Sequence, residues 1–170
     1  MAMLFAGIVS GLAVDYTATA FITMDGNQMK LRESATFSAG VDGTYSVTNL
    51  NENGISAYYG GARYLQFATN DLEGLNLEIH AAVSNETLTF SNVIGTLYLV
   101  DNVAKQCKPI VEGDSYTFTA TAGASVADRF YISKTEVVFQ TEFVCQVDGG
   151  LSFHGDVAYS GLVIYNENGN

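Results

Sequence analysis

Tryptophan is missing from this 170-residue chain, which holds one proline, two cysteines, two histidines and only seven lysines and arginines. Each scarcity excludes something. His80 and His154 lie in separate stretches and rule out a centre built on several histidines. The basic residues are scattered as Lys30, Arg32, Arg63, Lys105, Lys108, Arg129 and Lys134. Against 18 acidic residues they leave a net charge of −11, so a polyanion is repelled and nucleic acid is not an expected partner. Helix-forming runs of Ala, Leu, Glu, Lys and Arg are absent. So are a Gly-x-Ser-x-Gly elbow, a His-Glu-x-x-His pair and a phosphate loop, and the chain is read as no enzyme. A glycosidase needs a carboxylate pair, but acidic residues at strand edges are expected in any soluble β protein.

What is present is Thr, Val, Tyr, Phe and 17 glycines, the vocabulary of many strands joined by glycine turns. The hydrophobic period is two nearly throughout, with turn residues about every ten positions. Strands are predicted at 4–10, 13–23, 28–39, 43–50, 55–59, 63–69, 75–83, 86–91, 95–101, 115–122, 129–139, 142–147, 151–154 and 161–166. Met24-Asp25-Gly26-Asn27 is the strongest hairpin signal. The expected fold is all-β, a two-sheet antiparallel β-sandwich of Ig-like or jelly-roll-like type over residues 1–147. Residues 148–170 are read as a terminal hairpin or the start of a truncated second β unit. In SYTFTATA, Tyr116 and Phe118 share one face and Thr117 and Thr119 the other. After the small-residue loop, Phe130 and Ile132 are expected to face the core, and Arg129, Tyr131 and Ser133 the opposite side.

The opening MAMLFAGIVSGLAV is apolar, but about a dozen residues are too few to cross a bilayer as a helix. It reads as a buried first strand, with a cleaved leader as the alternative. Met3 to Val14 is expected to be covered by its own sheet or by a neighbouring subunit, since an apolar terminal run is costly to leave in water. Cys107 and Cys145 fit either a disulfide or two buried free thiols.

Three local features invite a functional reading. Asp128-Arg129 is the sharpest: the guanidinium fork either ties a carboxylate and loop carbonyls together or holds an anionic ligand. Tyr58, Tyr59 and Tyr64, with Phe67, flank Gly60-Gly61 and either stack on a sugar ring or fill the core edge. Asp101 and Asp114, with Glu112, and separately Asp71 and Glu73, are weak candidates for Ca²⁺, which takes about six to eight oxygens. No other cofactor is expected.

Residues 95–133, GTLYLVDNVAKQCKPIVEGDSYTFTATAGASVADRFYIS, carry a Leu-x-Asp strand, a glycine turn, a Tyr-Thr-Phe-Thr-Ala strand and an Asp-Arg-Phe strand. This stretch resembles the β-sandwich module of secreted and surface proteins of the Bacteroidetes, and DGTYSVTNL at 42–50 suits an earlier strand of the same module. GGLSFHGDVAYSGLVIYNENG at 149–169 is similar to the opening of the sorting domain of type IX secretion cargo. The resemblance implies an extracellular or cell-surface location and a structural role in the fold for Asp128 and Arg129, while alternation gives Phe118 and Phe130 a structural role in the core. The expected function is therefore a non-catalytic structural or adhesive module acting through protein partners or self-assembly. The alternatives are a virion protein, such as a capsid decoration or fibre subunit of a phage of those bacteria, and a carbohydrate-binding module with a glycan partner.

Overall fold

The computed structural model describes residues 13–48, 54–139, 143–147 and 150–154. The chain divides into two compact units, Met1–Val137 and Val138–Asn170. All helical or extended elements among the described residues are strands.

The first unit contains β1 (Ala18–Met24), β2 (Asn27–Glu33), β3 (Val47–Thr48), β4 (Gly54–Tyr59), β5 (Ala62–Thr69), β6 (Asn76–His80), β7 (Asn85–Ile94), β8 (Tyr98–Asp101), β9 (Gln106–Pro109), β10 (Ser115–Thr119) and β11 (Ser125–Ser133). They form one sheet in the order β10-β7-β1-β2-β5-β4-β6-β11-β8-β9, with β3 paired to β5. The expected two-sheet antiparallel sandwich is therefore wrong. A single mixed sheet curls nearly into a barrel, and β2 and β5 run parallel, Lys30 opposite Gln66 through Glu33 opposite Thr69. The physical reason is that inward–outward alternation has the same period in a sandwich and in a barrel. The long connection from β2 to β5, unlike a two-residue hairpin, also leaves the partner's direction free.

Local chemistry decides where strands stop. β1 and β2 meet through the expected turn, with Asp25 and Gly26 both at positive φ and Met24 facing Asn27. β2 ends at Glu33 rather than continuing to 39, because Ser, Thr and Asp side chains take over the backbone's hydrogen bonding. The Ser34 hydroxyl accepts the Thr36 N–H, and the Asp42 carboxylate accepts the Ser38 and Thr44 N–H groups. The same turns delay the start of the strand expected at 43–50, whose described part is Val47–Thr48. β9, with its Gln, Lys and Pro, carried no strand pattern. It lies at one end of the sheet order, where a proline costs no ladder bond.

Two bulges curve the sheet. In β7, Glu86, Leu88 and Phe90 face inward; Asn92 then takes a φ of 51°, and Val93 packs inward instead. In β11 the register slips between Val126 and Phe130, and Asp128 sits at a φ of 62°. The core inside the sheet includes Met29, Leu31, Phe67, Leu77, Ile79, Leu88, Phe90, Phe130 and Ile132. Each large side chain of this kind stabilises by roughly 1.5–3 kcal/mol relative to exposure. On the outer face Phe21 lies under Lys30 and Arg32, at 5.3 and 5.4 Å from its ring centre.

In the second unit, β12 (Phe143–Val147) and β13 (Gly150–His154) form an antiparallel hairpin, so this pairing takes one strand from each side of residue 148. The strands expected at 4–10 and 161–166, and most of the apolar Met3–Val14 run, lie outside the described residues.

Candidate functional site

The bulge in β11 gives Arg129 a position that simple alternation denied it. Arg129 and Phe130 are consecutive and both buried, so Arg129 is not on the water-facing side expected for it. Its partner is not the neighbouring Asp128, which is exposed, but Asp101 at the end of β8, which is 0 % exposed. The Arg129 Nε donates to both Asp101 oxygens at 3.1 Å, Nη2 donates to Oδ2 at 2.7 Å, and Nη1 donates to the Thr119 carbonyl at 2.6 Å. The guanidinium carbon lies 4.7 Å from the Phe118 ring centre and 5.0 Å from that of Phe130, and these two rings meet edge to face. Asp101 also accepts the Val103 and Ala104 N–H groups at 2.9 Å and the Tyr116 hydroxyl at 3.1 Å.

This network closes the sheet on itself. β10 stands at one end of the strand order and β8–β9 at the other, and Tyr116 and Arg129 connect them through side chains where no backbone ladder does. Burial pushes the Asp101 carboxyl up, but Arg129 and the amides of Ala104 and Val103 outweigh it and hold it below its ordinary value. Burial first, then the Asp101 charge, pushes the Tyr116 hydroxyl up to about 12. Asp101 is thus committed to protein donors, and Asp114 pairs with Lys108 at 3.4 Å. Among the described residues no group of three or more His, Cys, Asp or Glu is gathered as a metal would need.

The second feature is an open cleft of about 410 Å³ at the tip of the β4–β5 hairpin. Its walls include Tyr58, Tyr59, Asn70, Asp71, Glu73 and Asn76. Tyr58 and Tyr59 are adjacent on one strand, so they project to opposite faces of β4 and flank the hairpin tip rather than forming one flat platform. Tyr59 is 46 % exposed and rests against Phe67, with ring centres 5.7 Å apart. It also passes close to Gly40, where a Cβ would fall 2.8 Å from the tyrosine hydroxyl. Tyr58 faces Asn76 across the β4–β6 ladder. Tyr64 is half-buried, edge-on to Phe67 at 5.5 Å, and does not line the cleft.

The acidic wall is held from below. Lys134 donates to Asp71 and to the buried Glu33, each at 3.2 Å, while Glu73 accepts the Ser133 hydroxyl and the Lys134 N–H. The Glu73 N–H and the Lys134 ammonium hold the Asp71 carboxyl below its ordinary value, so it is anionic at neutral pH. Asn70 and Asn76 carried no sequence signal, because only the β5–β6 connection brings them beside the tyrosines.

Of the remaining expected residues, Cys107 is a half-buried free thiol whose sulfur accepts the Val137 N–H at 3.3 Å. The Cys145 side chain lies outside the described residues. His80 bonds the Ser125 hydroxyl at 2.8 Å, and Arg63 pairs with the buried Glu78. Compared with known proteins, the chain matches no family model, no curated protein and no solved structure.

Proposed function

We propose that this chain is a non-catalytic β module of a secreted or cell-surface protein and that it works by adhesion. The observation that carries the reading is the use of its buried charge. The Asp101 carboxylate and the Arg129 guanidinium are engaged with each other and with Thr119, Val103, Ala104 and Tyr116 as the side-chain seam of a curled sheet. The Leu-x-Asp and Asp-Arg-Phe motifs behind the resemblance to Bacteroidetes surface modules supply the two partners of this one ion pair, so a fold-holding role accounts for their occurring together. An extracellular location rests on that resemblance. A second support is the sheet's ends. Among the described residues β9 and β10 each have a backbone partner on one side only, the kind of edge that accepts a strand from another chain.

The test pairs turnover with retention. The full chain is incubated with panels of oligosaccharides and peptides, products are sought by mass spectrometry, and beads coated with the chain are measured for attachment to bacterial cells and insoluble polysaccharides. Saturable attachment without any product is expected. Catalytic release of product from any member of either panel overturns the reading.

A further inference from the structure

Resting on the adhesive reading, we propose that the cleft at the β4–β5 hairpin tip binds an uncharged sugar ring, with Tyr59 as the stacking surface and Asn70 and Asp71 as its hydrogen-bonding rim. The cleft's volume, about 410 Å³, falls in the range of small-ligand sites. It is open enough to admit part of a longer chain from the side, as an adhesive contact to a polysaccharide requires.

The chemistry of the walls matches a pyranose on both of its surfaces. A sugar ring has one apolar C–H face, which an aromatic ring covers well, and a circumference of hydroxyls that both donate and accept. Tyr59 offers the aromatic face: it is nearly half exposed, yet Phe67 on one side and Gly40 at its hydroxyl end hold it in place. Binding therefore costs little side-chain ordering there. Beside it the Asn70 amide and the Tyr59 hydroxyl have no side-chain hydrogen bond to any described residue. One Asp71 oxygen is likewise without a protein donor, since Lys134 and the Glu73 N–H both use Oδ1. These groups supply both donors and acceptors, which a hydroxyl-rich ligand needs and a hydrocarbon ligand would leave unpaired.

Charge sets the class of sugar. Asp71 and Glu73 stand in the wall, and the Lys134 ammonium is already engaged by Asp71 and Glu33. The whole chain carries −11, so uronic, sialic and sulfated sugars are repelled both at the cleft and on approach. Neutral hexoses and N-acetylhexosamines are not.

The experiment is a glycan array followed by calorimetric titration with the best neutral oligosaccharide and its uronate counterpart, on the full chain. The variants are Tyr59→Ala, Tyr59→Phe, Asn70→Ala and Asp71→Asn, with Thr87→Ala on the exposed face of β7 as control, each checked against the parent's melting curve. Saturable binding of neutral glycans is expected, weakened about tenfold or more by Tyr59→Ala, severalfold by Asn70→Ala and little by Tyr59→Phe or Thr87→Ala. Asp71→Asn should narrow the neutral-over-acidic preference, a readout that a general loss of fold would not produce. Glycan binding indifferent to Tyr59 and Asn70, a preference for acidic glycans, or no glycan bound at millimolar concentration overturns the sugar site. In those outcomes the adhesive reading stands if coated beads still attach to cells, and falls if they do not attach or if product is released.

Discussion

Replacing Arg129 by Met keeps most of the side chain's apolar length but removes the charge that faces Asp101. The carboxylate, with no exposed surface, is left with the Val103 and Ala104 amides and the Tyr116 hydroxyl as its described partners. Breaking a buried pair from one side costs about 3–5 kcal/mol. An independent route gives the same size. If the orphaned carboxyl escapes by binding a proton at pH 7, it must move roughly three units above its ordinary 3.8, at about 1.36 kcal/mol per unit, or about 4 kcal/mol. Urea unfolding at pH 7, followed by far-UV circular dichroism and tyrosine fluorescence, should show that loss. Asp101→Asn should cost a similar amount, and the double variant about 1–3 kcal/mol less than the sum. The pH dependence adds a sign. In the parent the Asp101 value is depressed, so its stabilisation is present above 3.8 and is lost as pH falls through the folded value. In Arg129→Met the carboxyl prefers its neutral form, so the gap between parent and variant must shrink toward pH 4. A loss below about 1 kcal/mol, additive single costs or a pH-independent gap would refute the structural role and return Arg129 to the pool of ligand-binding candidates.

Phe118→Ala, at a side chain only 5 % exposed between Arg129 and Phe130, should cost about 3–5 kcal/mol against well under one for exposed Thr119→Ala; equal losses in urea would mean the β10 register is wrong. The Tyr116 value is raised, so its contribution is complete below the ordinary 10.0 and drains away as pH rises through about 12. Alkaline unfolding of Tyr116→Phe should accordingly be less steep over that window, and an unchanged profile would count against the seam. Gly95 lies at a φ of 74°, and an added Cβ would meet the Thr17 carbonyl oxygen at 2.5 Å, so Gly95→Ala should lower the melting temperature by several degrees or more, as scanning calorimetry would show.

Much of the local structure is legible in the sequence. Period-two alternation placed most strands, the Asp25-Gly26 turn formed where its residues demanded, and Phe118 and Phe130 sit on the buried side, because these are consequences of neighbours in sequence. The cleft was legible only in pieces: tyrosines beside a glycine turn in one stretch, acids in ATNDLEGLNLE in another. What sequence alone determined is an acidic chain of strands with no helical face. Three things waited for the tertiary structure. The parallel pairing of β2 with β5 turned an expected sandwich into a curled sheet, since alternation says which face is buried but not which strand lies alongside. The β11 bulge turned Arg129 inward toward Asp101, a partner 28 positions away, rather than leaving it beside Asp128 on the surface. And the β5–β6 connection set Asn70 and Asp71 against Tyr59, because a site made by loops from different strands exists only once the sheet has chosen its order.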